Sequence, residues 1–182
     1  DDYSGEQAAI TEEKLGENHV FFLPYLMGER SPINDTNARG TFIGMTMDTT
    51  RADMVFSVLE GVAFAIRDSV EVARSLGIEI NTSKICGGGA KSPLWKRIFA
   101  NVLNAELEIP VSEQGPGMGG AMLAMVAAGE YDSVEEVCSR FVQVKATVSP
   151  DPELVGRYEK RYQQFRKIYP ACQTLFSELV KG

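Results

Sequence analysis

The sequence predicts an α/β fold. Three observations carry this: segments with strand and helix patterns alternate along the chain, two glycine stretches each follow a strand pattern and lead into a helix pattern, and four helix starts carry local capping signals. The first glycine stretch, residues 85–95, reads I-C-G-G-G-A-K-S-P-L-W. Ser92 suits the N-cap and Pro93 the first helical position, and Leu94, Ile98, Phe99, Val102 and Leu103 then recur at helical spacing. Glycines admit close approach to the backbone, and a helix start offers unpaired N–H groups to an anion or a polar ring edge. A tight strand-to-helix turn with no ligand is the alternative reading.

The elements follow in order. Residues 4–15 suit a short exposed helix, and 20–25 (V-F-F-L-P-Y) a buried strand. Residues 27–39 form a loop rich in Gly, Pro, Asn and Asp, and 40–45 are the next strand. Thr50 and Asp53 make a capping box for a helix to about Leu76, with Val55, Val58, Leu59, Val62, Ile66, Val70 and Ala73 as its apolar face. Residues 78–86 return as a strand into the glycine turn, and 106–110 alternate as another. The second glycine stretch, 114–121 (Q-G-P-G-M-G-G-A), opens a small-residue helix over 121–128. Ser133 with Glu136 caps a short helix, 143–150 is the expected hinge, and Asp151 and Pro152 start an amphipathic helix broken at Pro170 and followed by a helix over 171–180. Glu159, Lys160, Arg161, Arg166 and Lys167 read as its solvated face. Residues 1–142 are thus an α/β core and 143–182 a helical tail.

The formal net charge of −7 argues against nucleic acid and an anionic membrane surface as partners. No apolar run is long enough for a bilayer, and no basic segment followed by an apolar run opens the chain. Cys86, Cys138 and Cys172 have neither a disulfide-framework nor a metal-site spacing, which points to a reducing cytoplasm. His19, the sole histidine, reads as structural or surface. The chain opens on D-D-Y-S-G-E without a Met and is expected to be a fragment. The pattern G-x-x-x-x-G-K-[ST] is absent, and the argument for a nucleotide site is that both glycine stretches follow strands and can border one cleft.

Residues 40–60, G-T-F-I-G-M-T-M-D-T-T-R-A-D-M-V-F-S-V-L-E, resemble the second signature of the FGGY carbohydrate kinases. Gly40, Phe42, Gly44 and Met45, then Asp53 and Met54, then Ser57, Val58, Leu59 and Glu60 fill its fixed positions. F-L-P-Y-L-M-G-E-R-S-P at 22–32, G-V-A-F-A-I-R-D at 61–68 and G-G-G-A-K-S-P-L-W at 87–95 are similar to the xylulokinase branch; the first is also shared in related form by gluconokinases. The resemblance implies the C-terminal lobe of an actin-like, ribonuclease-H-like ATPase fold, incomplete at its start. It implies an enzyme that transfers the γ-phosphoryl of ATP, with Mg2+, to a sugar hydroxyl, D-xylulose first and gluconate as the alternative. It places an aspartate base, the phosphate loops and most sugar contacts outside this chain, so no catalytic or metal-binding residue is assigned here and the chain alone is expected to be inactive. The implied ATP contacts are Gly88, Gly89 and Ser92 on the adenine side, Gly44 near the phosphates and Gly119 near the same pocket. The full-length enzyme is expected to be a cytoplasmic homodimer. A non-catalytic nucleotide-sensing or protein-interaction module is the rival from another class. Asp48, Asp53 and Glu60 read as structural, and hydrolase chemistry at Ser92 is set aside because a helix cap already employs its hydroxyl.

Overall fold

A computed structural model describes residues 3–112 and 115–179 of the chain. Asp1, Asp2, Gln114 and Val180, which the expected chain opening, second glycine turn and last helix include, lie outside the described residues. The element order is α1 (Tyr3–Ala8), a 3-10 turn (Glu12–Lys14), β1 (Phe21–Leu23), β2 (Thr41–Ile43), α2 (Arg51–Ser75), β3 (Thr82–Lys84), a 3-10 turn (Gly88–Lys91), α3 (Pro93–Leu103), β4 (Glu106–Pro110), α4 (Gly115–Ala127), α5 (Val134–Phe141), β5 (Val144–Val148), α6 (Pro152–Phe165) and α7 (Ile168–Leu179). β1 and β2 pair antiparallel. β4 is central in a second sheet, parallel to β3 and antiparallel to β5.

Local capping chemistry sets the helix starts. The Thr50 hydroxyl accepts from the Asp53 amide while the Thr50 amide donates to the Asp53 carboxylate at 2.9 Å, a reciprocal capping box. Asp151 accepts from the Glu153 and Leu154 amides, with Pro152 first in α6. Ser133 caps α5, although Glu136 reaches back to the amide of Asp132 rather than of Ser133. α3 ends on Asn104 in the left-handed conformation at φ 47°, which a short polar side chain tolerates.

The core lies among α2, α3, α6 and the sheets, and several expectations change there. Ile10 and Leu15 are buried, so the segment read as exposed contributes to the core. The buried face of α2 is Phe56, Ser57, Leu59, Glu60, Gly61, Ala63, Phe64 and Arg67, whereas Ile66 is 44% exposed. The face has turned because Phe64 packs among Tyr158, Tyr162 and Phe165 of α6, and Gly61 lets the backbone of Phe22 come close. Residues 143–182, expected as a tail behind a hinge, begin with β5 in the sheet, and α6 then fills the same core. Arg161, expected in solvent, is 6% exposed. Pro170 does not break a helix. It stands in the first turn of α7, where its missing N–H has no intrahelical partner to lose. The second glycine stretch is itself helical, since α4 already begins at Gly115.

Candidate functional site

The amide of Ile85 still bonds to the Glu108 carbonyl at 3.0 Å, so the β3–β4 pairing continues to the edge of the glycine turn. Gly87 then takes φ 87° and ψ −172°, a conformation that side-chain-bearing residues avoid. One 3-10 turn follows, closed by the Ser92 amide donating to the Gly89 carbonyl at 3.2 Å, and the Ser92 hydroxyl then caps α3 by accepting from the Trp95 amide at 3.0 Å. The Ser92 hydroxyl also donates to Gln7 of α1. Trp95 ties the turn to α2 through Nε1, which donates to the Leu59 carbonyl at 2.9 Å, and its ring lies 5.5 Å from that of Phe99.

The glycines differ in why they are small. A Cβ on Gly89 would lie 2.6 Å from Cζ3 of Trp95, so packing inside the chain demands a glycine there. A Cβ on Gly88 would meet nothing within 4 Å. No described residue explains its smallness, and Gly88 itself is exposed. Beside it lies a cleft of about 260 Å³, floored by Ile85, Cys86, Ile109 and Pro110 and bordered by Lys91, Lys96 and Lys145. An apolar floor with cationic edges suits a ring system that carries negative charge. A second cleft of about 300 Å³ adjoins it between Val62 and Ile66 of α2 and Trp95, Phe99 and Leu107.

The structure brings Gly88, Gly89 and Ser92 into one turn. Gly119 sits on α4, one helical turn beyond Gly115, and a Cβ there would also meet nothing within 4 Å. A Cβ on Gly115 would lie 2.9 Å from the Cys86 sulfur, so the two glycine stretches meet at the start of α4. Gly44 is elsewhere. It follows β2 with φ 92°, and a Cβ would lie 2.4 Å from the His19 carbonyl oxygen. The sequence reading missed Gln7 and the three lysines. Lys91 stands two residues after Gly89 and was readable; Lys145 was not, because it enters on β5, from the supposed hinge.

A strongly perturbed carboxyl group lies in the core. Glu60 Oε2 accepts from Arg161 Nη2 at 2.6 Å, both groups being buried. Burial pushes the Glu60 carboxyl up to about 7, outweighing the opposing pull of Arg161, and among the described residues its Oε1 has no hydrogen-bond partner. Asp68 is also raised by burial, although Tyr162 donates to it at 2.6 Å. Asp53 is held low by its capping bonds to Thr50. Asp53 and Glu60 are therefore employed in structure. Among the described residues, no group of three His, Cys, Asp or Glu side chains is placed to hold a metal ion, and no helix is long and apolar enough to cross a membrane.

Residues 2–128 match the C-terminal domain of the FGGY family of carbohydrate kinases. The chain belongs to that family. It is 35% identical over 167 residues to a xylulose kinase of Staphylococcus epidermidis, covering 92% of this chain and 34% of that relative. Among solved structures it resembles a ligand-bound xylulose kinase from Lactobacillus acidophilus (TM-score 0.86, 26% identity, 98% of this chain and 36% of that one). It is similar also to a gluconate kinase from the same organism (TM-score 0.85, 26% identity, 98% and 35%). The fold is the α/β C-terminal lobe of the family's actin-like, ribonuclease-H-like ATPase architecture. This FGGY chain spans about a third of the length of the relatives it matches.

Proposed function

We propose that this chain is the ATP-binding lobe of a sugar kinase that moves the γ-phosphoryl of ATP to a sugar hydroxyl, D-xylulose foremost. The observation that carries the reading is the bare turn at Gly88 beside the lysine-bordered cleft, at the ends of parallel strands where α/β folds receive ligands. In this reading Gly88, Gly89 and Ser92 wall the adenine side, and Gly119 on the abutting helix faces the same pocket. Gly44 lies toward the phosphates. Mg2+ travels with those phosphates, as is usual for a cation held by few protein ligands. Phosphoryl transfer needs a base, a metal and in-line positioning, and these fall to parts of the enzyme outside this chain. The xylulose kinase relatives support D-xylulose, and the gluconate kinase neighbour keeps gluconate as the second substrate. The free cysteines accord with a cytoplasmic setting, and the homodimer rests on the resemblance alone.

The test is a coupled ADP-release assay on the full-length protein with D-xylulose, L-ribulose, gluconate and glycerol. Turnover highest on D-xylulose is expected. Turnover only on gluconate overturns the sugar assignment and leaves the kinase reading. Tight ATP binding with no turnover on any sugar favours the non-catalytic module. The isolated chain is expected to bind ATP weakly and to phosphorylate nothing; a submicromolar Kd by calorimetry contradicts that division of labour.

A further inference from the structure

Residues 18–20 join three parts of the chain. The Asn18 amide group donates to the Asp53 carbonyl in the first turn of α2 at 2.9 Å, and Asn18 Oδ1 accepts from the Val20 amide at 3.1 Å. From α6, Arg161 donates to the backbone carbonyls of Asn18 and Val20, the latter at 3.2 Å, and to Glu60 Oε2 at 2.6 Å. Its guanidinium lies 4.3 Å from the centre of the Phe21 ring. Asn18, Val20, Glu60 and Arg161 are all buried. His19, between the two gripped carbonyls, faces the other way. Its own carbonyl is the nearest atom to the Cβ position of Gly44. Its Nε2 is 2.9 Å from the Thr49 hydroxyl, which in turn accepts from the Thr46 amide at 2.8 Å. Both ends of the loop from Gly44 to Thr49, which links β2 to α2, thus rest on His19.

We propose that Arg161 is a positioning residue for the nucleotide phosphates: by gripping the carbonyls on either side of His19, it fixes the residue on which the 44–49 loop is seated. This rests on the reading that Gly44 lies at the phosphate side of the ATP site. The choice of arginine follows from the geometry. Its planar fork presents five N–H donors, enough to hold two carbonyls and a carboxylate at once, whereas a lysine ammonium is a single point that cannot span them. A purely structural clamp needs no particular tie to the 44–49 loop, and this one is tied to it at both ends.

The test uses the full-length protein with Arg161→Lys and Thr49→Val. Thr49 is half-buried and lies outside the core cluster, so its variant keeps the core and carries the test if Arg161→Lys does not fold. Two measurements are made: amide hydrogen exchange over 44–49 against 87–95, and KM for ATP against KM for the sugar. In both variants exchange is expected to rise over 44–49 alone, and KM for ATP to rise by roughly tenfold while KM for the sugar stays within about twofold. Exchange rising equally over both segments, or KM for ATP unchanged in the folded variants, overturns the proposal. If the wild type phosphorylates no sugar, the kinase reading fails separately, and ATP affinity by calorimetry replaces KM in deciding the role of Arg161.

Discussion

Gly61→Ala separates helix propensity from packing, because the two predict opposite signs. Gly61 stands inside α2, where replacing glycine with alanine in an exposed position gains about 1 kcal/mol. Here the added Cβ would lie 2.1 Å from the Phe22 carbonyl oxygen and 3.1 Å from its carbon, more than 1 Å inside ordinary contact. The obstacle is backbone, so no rotamer change relieves it; β1 must move away from α2, loosening the buried Phe22 and Leu23. Overpacking costs typically run to about 3 kcal/mol, and a backbone clash belongs at the upper end. After the propensity gain is subtracted, a net loss of roughly 2 kcal/mol is expected. The assay is urea unfolding followed by the fluorescence of Trp95, the single tryptophan. With a slope of about 2 kcal/mol/M, the midpoint falls by about 1 M. Gly119→Ala is the control: it too is helical, but its Cβ meets nothing, so it should raise stability by about 0.5–1 kcal/mol. A Gly61→Ala midpoint at or above wild type would refute the close seating of β1 on α2.

Other outcomes are equally specific. Burial raises Glu60 from its ordinary 4.5 to about 7, so its contribution to stability is fully present below about 4.5 and is lost as pH rises through about 7. Unfolding free energy should therefore decline from pH 5 to 7.5, and Glu60→Gln should flatten that decline; an unchanged slope contradicts the assignment. Ser92→Ala removes the cap of α3 and should cost about 1 kcal/mol in urea unfolding, with no loss pointing to a substitute cap. Gly88→Ala should leave stability within about 0.5 kcal/mol, since the Cβ enters open space, yet raise KM for ATP in the full-length enzyme by roughly tenfold. Unchanged KM would remove Gly88 from the nucleotide site.

What the sequence disclosed was local. The caps at Thr50, Ser92 and Asp151 bond within three residues of themselves, so a short window contains the whole cause. The glycine turn was legible for the same reason. The buried face of α2 was not, because hydrophobicity alone favours Ile66 over Glu60 and Arg67. Those charges are buried by partners on α6: Arg161 for Glu60, and Glu159 for Arg67. No spacing rule connects residues so distant in sequence. The strand at 144–148 was missed although V-K-A-T-V alternates apolar and polar residues, because it is short and mostly exposed and pairing with β4 alone gives it a place. In the candidate site, Ser92 and the glycines announce themselves, whereas Lys145 enters only through that pairing.

The placement of α6 bears on how the protein is made. Glu60 meets Arg161 across 101 residues, and Asp68 meets Tyr162 across 94. As the chain leaves the ribosome from its N-terminal end, α2 emerges long before those partners exist. Until they arrive, Phe64 lacks its aromatic neighbours and Glu60 its counter-charge. The segment that completes the core, α6 and α7, is translated after the helices α2 and α3 on which it packs. Ribosomes stalled between those points would display a nascent chain with its glycine turn already made and its interior still open, a natural substrate for chaperones.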